Sequence, residues 1–455
     1  MDRRSFLKGA AAAAAVVPFQ ALLARAERLS QRGSMRGLRT SGYGPLIETL
    51  DEATGLPLLK VPEGFRYVSF GWAGDIMTDG QPMPGKHDGM GAFAAGPGRV
   101  RILRNHEEES GKPFSRAAYD RNAGGGTTTL EFDTDAGRFV SGYGSLSGTL
   151  RNCAGGQTPW GSWLTCEETT GYTGSPHGYV FEVPADGFGD PSPIRDMGRF
   201  SHEAVAIDPV TGYAYETEDP GASLLGFFGA SSKSGFYRFV PNVKGRLSAG
   251  GRLFMLKVKG RPKLDLGDAY AHGTAFDVEW VPISRPDNPR RTSPEDFVWD
   301  QGRAHGAATF QRLEGCWYGN DRKIYIVSTN GGRGQGQIWV YDPAAETISL
   351  LFQSPGKDVL NRPDHLTVSP RGGLVLCEDG GDDEFLHGLT TEGEIFAFAQ
   401  NNVKLRGERN GLSGDFTRSE WAGPCYSPDG HWLFANIYAP GITVAITGPW
   451  QSGAL

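Results

Sequence analysis

The sequence predicts an all-β protein, a single β-propeller of about six four-stranded blades with an inserted subdomain. Three observations support this prediction. A segment with one common layout occurs six times along the 455 residues. Most copies begin roughly 50 residues apart, which is the length of a four-stranded blade. Long helical patterns are scarce. A pair of β-sandwiches is the weaker alternative.

The clearest copy of this layout is Asn152–Glu168, with the sequence NCAGGQTPWGSWLTCEE. A polar residue begins an apolar run, a turn rich in Pro and Gly follows, a second apolar run comes next, and a cluster of potential metal ligands ends the segment. Two short apolar runs around such a turn indicate a β-hairpin. The copies begin at Asp88, Asn152, Glu203, Glu314, Asp364 and Glu420.

The geometry of a hairpin suggests what the repeats do. In an antiparallel pair the first residue of one strand and the last residue of the next lie at the same end. Each copy therefore brings its first and last polar residues to one place. Hairpins arranged around an axis would deliver on the order of a dozen oxygen and sulfur atoms to one face. The sequence thus predicts a carboxylate-rich metal cluster on the axis.

The spacing of the copies also predicts the domain organisation. Residues 27–60 look irregular, and residues 61–450 form the predicted propeller. The wide gap between the copies that begin at Glu203 and Glu314 predicts an insertion at about 233–300. Strands are expected at Phe65–Trp72 and Gly441–Thr447, and together they could close the ring by completing one sheet from both ends of the chain.

Residues 1–26 have the pattern of a twin-arginine signal peptide. Arg3 and Arg4 lie in a short basic segment, Gly9–Ala24 is an Ala-rich apolar run, and Ala24–Ala26 is a small-x-small cleavage site. The apolar run is too short to cross a bilayer comfortably, and no later run is long or apolar enough. We expect the twin-arginine machinery to export the protein to the periplasm or the exterior, without stable membrane insertion.

The charge of the chain limits its partners. The formal net charge is −7, and no basic stripe is present, which argues against nucleic acid as a partner. An acidic protein can bind an anionic substrate if bound cations reverse the local field.

The chain has five cysteines, an odd number, so at least one thiol is outside any internal disulfide. Cys166 and Cys377 each end a hairpin directly before acidic residues. A thiolate in that setting needs a cation and suits a transition metal. A disulfide between these two would remove the ligand. Cys153, Cys316 and Cys425 are predicted to be small buried apolar residues.

Carboxylate and amide oxygens in the repeats suit calcium or another hard cation. A single acid of this kind is more often a solvated turn residue, and the recurrence at equivalent hairpin positions favours a shared role. Glu167 and Glu168 are neighbours on a strand and cannot both face the axis; Glu167 is preferred. The predicted metal ligands are Asn105, Glu107, Cys166, Glu167, Glu203, Glu218, Glu314, Asp364, Glu378 and Glu420.

Arg312 is the candidate catalytic residue. It lies two positions before Glu314 and so on the same side of an ideal strand. Its guanidinium could hold a phosphate or carboxylate oxygen. An ion pair with a ligand carboxylate is an equally good interpretation.

Several segments together resemble the PhoX family of alkaline phosphatases, over most of residues 85–450. The twin-arginine signal and the final Gly448-Pro449-Trp450 fit the same family. The segments that carry the resemblance are Asn105–Glu107, Asn152–Glu168, Arg199–Glu203, Arg312–Gly315, Glu378–Gly380 and Ser427–Gly430.

The resemblance implies a six-bladed propeller whose axial cluster combines Fe³⁺ with Ca²⁺, with one thiolate as an iron ligand, and the hydrolysis of phosphate monoesters. By the same resemblance, Cys166, Glu203 and Glu314 would be on the iron side. The remaining acids would hold calcium, and Arg312 would bind phosphate. The chain is short for the family.

Two other function classes stay open. A calcium-dependent lactonase-type propeller would place few carboxylates around one ion and would need no thiolate. A non-catalytic propeller that only binds a partner would not hydrolyse a generic aryl phosphate.

Overall fold

The computed structural model describes residues 42–220, 233–288 and 297–455. Within these ranges the regular secondary structure consists almost wholly of β-strands, so the predicted all-β class is confirmed. The predicted signal peptide lies outside the described residues. No helix in the described ranges is both long and apolar enough to span a bilayer.

The strands are numbered in chain order. They are β1 Leu46–Thr49, β2 Leu59–Pro62, β3 Arg66–Phe70, β4 His87–Ala94, β5 Arg99–His106, β6 Gly125–Asp133, β7 Arg138–Thr149, β8 Asn152–Gln157, β9 Ser162–Glu167, β10 Val180–Pro184, β11 His202–Ile207, β12 Ala214–Glu218, β13 Lys233–Ser234, β14 Phe236–Pro241, β15 Gly251–Val258, β16 Ala275–Pro282, β17 Phe310–Gln311, β18 Leu313–Tyr318, β19 Ile324–Ser328, β20 Gln337–Asp342, β21 Thr347–Gln353, β22 Pro363–Val368, β23 Leu374–Glu378, β24 Phe385–Leu389, β25 Ile395–Asn401, β26 Lys404–Arg406, β27 Ser413–Asp415, β28 Trp421–Tyr426, β29 Leu433–Ile437 and β30 Ile442–Thr447. The short helical segments are α1 Val298–Ala304, α2 Gly331–Gly334 and the 3-10 turns Arg195–Met197, Leu247–Ala249 and Trp450–Ser452.

The repeated segments form antiparallel hairpins, namely β4–β5, β8–β9, β11–β12, β18–β19, β22–β23 and β28–β29. Their first strands pack side by side in a closed order. β4 contacts β8, β8 contacts β11, β11 contacts β18, β18 contacts β22, β22 contacts β28, and β28 contacts β4. The first strands therefore form a ring around an axis, as in a propeller.

Further strands extend most hairpins outward. β6 and β7 extend β4–β5, β10 extends β8–β9, and β24 and β25 extend β22–β23. The hairpin β28–β29 is completed by β30 and by β3 from the other end of the chain, with Arg66 paired to Thr447 and Phe70 to Thr443. This pairing confirms that both ends of the chain complete one sheet.

The largest sheet joins two hairpins. β14 and β15 extend β11–β12, β20 and β21 extend β18–β19, and β16 pairs with both β15 and β21. The range 233–300, for which an inserted subdomain is predicted, thus supplies strands to this sheet. The described part of 27–60, predicted to be irregular, contains β1 and β2, which pair with each other and continue the sheet at β25. The domain boundaries stay a prediction.

Buried apolar side chains fill the space between neighbouring sheets and hold the ring in shape. One cluster joins Leu164 and Val180 of the second hairpin sheet to Val205 and Phe239 of the third. An aromatic cluster closes the ring near the chain ends, where Phe65 packs edge-to-face on Trp450 with ring centroids 4.9 Å apart. The result is a rigid frame for the side chains that point to the axis.

Candidate metal centre

Each of the repeated hairpins has a β-bulge near the start of its first strand. In β11, His202 pairs with Glu218 and Val205 pairs with Glu216, so two residues of β11 face one residue of β12. A bulge turns a side chain out of the regular alternation of a strand. The first residues of these bulges, called the bulge residues below, are Asp88, Cys153, Glu203, Glu314, Asp364 and Gly423.

The bulge residues converge because the strands that carry them form the ring. The Sγ atom of Cys153 lies 3.2 Å from Oε1 of Glu203. Ligand atoms of Asp88, Cys153 and His365 lie within 4.8 Å of one another, and so do those of Glu203, Asp364 and His365. Residues far apart in the sequence thus form one cluster of carboxylates with a thiol and an imidazole.

A second set of side chains lies at the ends of the second strands. In each hairpin the N–H of the residue after the second strand donates to a carbonyl that precedes the first strand. Glu168 donates to Arg151 O at 2.8 Å, and Asp219 to Ser201 O at 3.1 Å. This repeated bond holds each of these residues beside a bulge residue. The set, called the closing residues below, is Glu107, Glu168, Asp219, Thr329, Asp379 and Tyr438.

Arg312 connects the two sets. Its Nη2 lies 2.8 Å from Oδ2 of Asp219 and 2.8 Å from Oε1 of Glu314, and its Nε also donates to Asp219. The carboxylates of Glu314 and Asp219 raise the pKa of Arg312 above its ordinary value, although burial opposes this. Without metal ions, Arg312 therefore neutralises part of the acidic cluster.

Arg151 has the corresponding place in the second hairpin. It binds Glu168 and lies 2.8 Å from Oε1 of Glu107. Arg151 and Arg312 share a left-handed backbone conformation, each with φ of 50°, which is uncommon for residues other than glycine. Both precede a bulge residue by two positions, and both side chains bind acids of the cluster.

Burial is the main electrostatic influence on the cluster. It raises the pKa of Asp364 to about 7, with His365 acting in the opposite direction. Burial first, and then the nearby Asp88 and Glu203, raise the pKa of the Cys153 thiol well above its usual range. Such groups hold their negative charge when cations are bound beside them. Burial raises the pKa in the same way for Asp88, Glu168, Glu314 and Glu420.

His365 is the one imidazole in the cluster. Its Nδ1 accepts a hydrogen bond from Gly423 N at 2.9 Å. Burial opposes a charge on the ring, but Asp364, Glu203 and Asp88 raise the pKa of His365 to about 10. A second ring proton would have to lie on Nδ1, which the Gly423 N–H group already faces. Cations bound beside the three acids would remove their influence on the ring. The Gly423 contact then leaves one ring proton, on Nε2.

The donor set fits bound cations. Oε2 of Glu203 is buried and has no hydrogen-bond partner among the described residues. A buried carboxylate oxygen without a partner is costly, and a cation would complete its surroundings. Carboxylate oxygens suit a hard cation such as Ca²⁺, whereas the Cys153 sulfur suits a transition metal.

The structure brings some of the predicted ligands to this cluster. Glu203, Glu314 and Asp364 are bulge residues, and Glu107 is a closing residue. Glu420 lies just before β28, where the carboxylates of Asp379, Asp364 and Asp88 influence its pKa. The predicted convergence therefore has a structural basis for these residues.

The two cysteines of the second hairpin have the reverse of their predicted places. Cys166 faces the bulge from the partner strand, and its buried side chain packs in the apolar cluster with Leu164 and Val180. Cys153, predicted to be a small apolar residue, lies beside Glu203 in the acidic cluster. The candidate thiolate is therefore Cys153, because the bulge turns it toward the axis.

Three of the predicted acids are one residue away from the cluster. Glu167, Glu218 and Glu378 are the last residues of β9, β12 and β23, and their side chains bind local backbone groups. Glu167 accepts from Gly178 N at 2.8 Å, Glu218 from Gly235 N at 2.9 Å, and Glu378 from Asn361 N at 2.7 Å. The acids that reach the cluster are the next residues, Glu168, Asp219 and Asp379.

Asn105 supports the site without being available as a ligand. Its amide donates to Cys153 O at 2.8 Å and to Ala154 O at 2.7 Å. Its carbonyl oxygen accepts from Trp163 Nε1 and Thr165 Oγ1, both at 2.9 Å. With all these contacts made, Asn105 holds the backbone of the Cys153 bulge in place.

Sequence reasoning missed several residues of the cluster, but one signal was available. Glu203, Glu314 and Asp364 each lie five positions before the first residue of their turn. The same count in the second copy gives Cys153 in place of Asn152. The missed residues are Asp88, Cys153, Glu168, Asp219, His365 and Asp379.

Comparisons with known proteins agree with this architecture. A family model described as Alkaline phosphatase PhoX matches residues 41–142 and 125–441. A model of the twin-arginine translocation pathway signal sequence matches residues 1–17, so the predicted signal is confirmed and marks the chain for export. No curated protein matches the chain.

Among solved structures, PhoX from Pseudomonas fluorescens in complex with vanadate, a transition state analogue, has a TM-score of 0.63. The two chains are 16% identical over 91% of this chain and 99% of that chain, which supports a shared fold. Virginiamycin B lyase from Staphylococcus aureus is 15% identical over 84% of this chain and 99% of its own, but its TM-score is only 0.41. The family match spans most of the sequence, and the chain therefore belongs to the PhoX alkaline phosphatase family.

Proposed function

We propose that this exported phosphatase hydrolyses phosphate monoesters at a cluster of calcium and iron ions on the axis of a six-bladed propeller. The observation that carries the proposal is the meeting of buried carboxylates, one thiol and two arginines from the repeated hairpins at one end of the ring. The ring of first strands supports the count of six blades. Family membership and the vanadate complex of the Pseudomonas fluorescens protein support a phosphoryl substrate, and the monoester preference rests on the family resemblance.

The arrangement of donors suggests how the ions divide. Cys153, Glu203 and Glu314 are assigned to the iron side, because a soft thiolate favours a transition metal and Glu203 lies against the sulfur. When bound, the ions act as Lewis acids on the phosphoryl group. The acids assigned to calcium are Asp88, Glu107, Glu168, Asp219, Asp364, Asp379 and Glu420.

Arg312 is the proposed phosphate-binding residue. In the structure its guanidinium divides its donors between Asp219 and Glu314. Cations bound to those carboxylates would compete for the same oxygens and leave N–H groups free. The planar fork of arginine fits two oxygens of one phosphate. Arg312 would thus orient the phosphoryl group and stabilise the charge on its equatorial oxygens during in-line displacement.

The test uses purified mature protein loaded with calcium and iron. We expect hydrolysis of an aryl phosphate monoester in preference to a diester, and loss of this activity after chelation. Arg312→Ala should lower kcat/KM by about 100-fold, since one charged donor to a transition state contributes about 3 kcal/mol. Arg312→Lys should recover little of the activity, because lysine lacks the planar fork.

Arg362 provides the matched control for Arg312. It is an exposed arginine with φ of 51°, and its carbonyl accepts from the closing residue Asp379. Arg362→Ala should therefore change kcat/KM little. Turnover of a lactone without phosphate hydrolysis would favour the lactonase alternative, and no turnover of either substrate would favour a binding protein.

A further inference from the structure

The second residues of the six bulges together form a separate level around the axis. These residues line a small cavity of about 20 Å³ on the axis, with room for about one water molecule. Five of the six have small or apolar side chains, and the sixth is a histidine. In chain order they are Gly89, Ala154, Ala204, Gly315, His365 and Pro424.

Close packing explains the small residues. A Cβ atom on Gly89 would lie 2.6 Å from Cα of Ala154, and one on Gly315 would lie 3.0 Å from Cα of His365. Neighbouring strands are therefore in backbone contact at this level. A histidine here is the exception to the pattern, and it borders the same cavity as the other five residues.

The contacts of the ring determine its chemistry. Gly423 N donates to Nδ1 at 2.9 Å, so Nδ1 carries no proton and the ring proton is on Nε2. Nε2 lies 3.1 Å from Oε1 of Glu203 and 3.6 Å from Oδ1 of Asp88. Cys153 Sγ and Asp364 Oδ2 are each 3.9 Å away. An N–H donor thus faces four groups that would otherwise attract a cation.

A metal ligand must offer a lone pair, and Nε2 in this arrangement offers a proton. His365 is therefore better suited to be a hydrogen-bond donor that occupies the place of a cation. It is less suited to be a metal ligand. Its bond to Oε1 of Glu203 leaves Oε2 of the same carboxylate without a partner and free for an ion. One positioned donor can therefore orient Glu203 while it excludes an ion from the centre of the four groups.

Resting on the proposed metal cluster, we infer that His365 is a positioning residue that replaces one cation on the axis. The amide of Gly423 fixes the ring, and the Nε2–H group holds Glu203 for the ions bound around it. The protein accordingly binds one metal ion fewer than its set of carboxylates would take without the histidine.

The test counts metal ions per chain by elemental analysis, after loading with saturating calcium and iron and removal of free ions. His365→Asn keeps an acceptor for Gly423 N and removes the donor that faces Glu203, so it should bind one additional ion per chain. His365→Gln extends an N–H group toward the former Nε2 position and should keep the wild-type count.

Pro424→Ala controls for the space that a smaller side chain adds to the cavity. Pro424 lines the same cavity but has no hydrogen-bond donor to lose. The variant should keep the wild-type count, and circular dichroism of each loaded variant checks the fold.

An unchanged or lower count in folded His365→Asn would overturn the inference, as would an additional ion in Pro424→Ala or His365→Gln. If the wild-type protein binds neither calcium nor iron, the proposed function itself fails, which the same measurement reveals separately. Should His365→Asn not fold, the count of His365→Ala decides in its place.

Discussion

At the scale of single residues, Cys153 and Cys166 have the same chemistry and opposite surroundings. Cys153 is half-buried beside Glu203, whereas Cys166 is fully buried among apolar side chains. The sequence favours Cys166 and Cys377 as thiolates, because each directly precedes acidic residues. The structure instead places Cys153 beside Glu203, because that position depends on the bulge between Asn152 and Gly155.

Substitution of each cysteine by serine separates their roles. Cys153→Ser should lose the thiolate-to-iron absorption band and lower kcat/KM by at least about tenfold, since a hydroxyl is a poor ligand for a soft metal site. Absorption spectra and elemental analysis of the loaded protein check this.

Cys166→Ser is the matched control in the same hairpin. It should keep the absorption band and the metal content. It should lower the free energy of unfolding by about 1–3 kcal/mol, because a buried hydroxyl replaces an apolar thiol. Loss of the band in Cys166→Ser, with retention in Cys153→Ser, would contradict the assignment.

At the scale of the hairpin, the bulge decides which side chains reach the axis. Side chains alternate along a regular strand, so a shift of one residue moves a side chain to the other face. Glu167, Glu218 and Glu378 occupy equivalent positions, and each pairs with the residue just before a bulge. In three hairpins the predicted acid therefore lies one residue away from the acid that reaches the cluster, for a single reason.

Gly315 allows a test of the hairpin packing. A Cβ atom here would lie 2.9 Å from Leu366 N and 3.1 Å from Asp364 O, both backbone atoms of the neighbouring hairpin. Gly315→Ala should lower the free energy of unfolding by about 1–3 kcal/mol, the usual cost of overpacking. It should also reduce metal content, because Glu314 is the adjacent residue. Denaturant unfolding and elemental analysis measure the two effects.

The control is Gly356→Ala on an outer loop. The nearest atom to its added Cβ would be Oε1 of Gln335 at 3.8 Å, an ordinary contact. Its free energy of unfolding should stay within about 0.5 kcal/mol of the wild type. Equal effects of the two substitutions would contradict close packing around the axis.

At the scale of the whole molecule, the ring gathers acids whose mutual repulsion must be offset. Burial raises the pKa of Asp364 from 3.8 to about 7, and it raises the pKa of Glu314 and Glu420 as well. An acid whose pKa is higher in the folded than in the unfolded chain stabilises the fold fully below the unfolded value. That contribution is lost as pH rises through the folded value.

Metal removal should therefore destabilise the protein in a pH-dependent way. Between pH 5 and pH 8 the metal-free protein should lose stability, with a fall in Tm of roughly 5 °C or more. The loaded protein should lose much less, because bound cations compensate the ionised carboxylates. Thermal unfolding with and without chelator, at both pH values, measures the difference.

Asp364→Asn is the matched variant for this effect. Without the carboxylate that titrates near pH 7, the metal-free variant should show a smaller fall in Tm over the same range. A metal-free wild-type protein that is more stable at pH 8 than at pH 5 would show that other groups dominate the acidic cluster.

The sequence by itself determined the export signal, the family, the all-β class and the repeated hairpins with acids at their ends. These features depend on local patterns, namely a signal segment, short apolar runs and Pro/Gly turns between them. Only the tertiary structure decided that Cys153 and not Cys166, and Glu168 and not Glu167, reach the cluster. Orientation at the axis depends on a bulge and on backbone contact between neighbouring hairpins, and both arise from pairing between strands that are distant in the sequence.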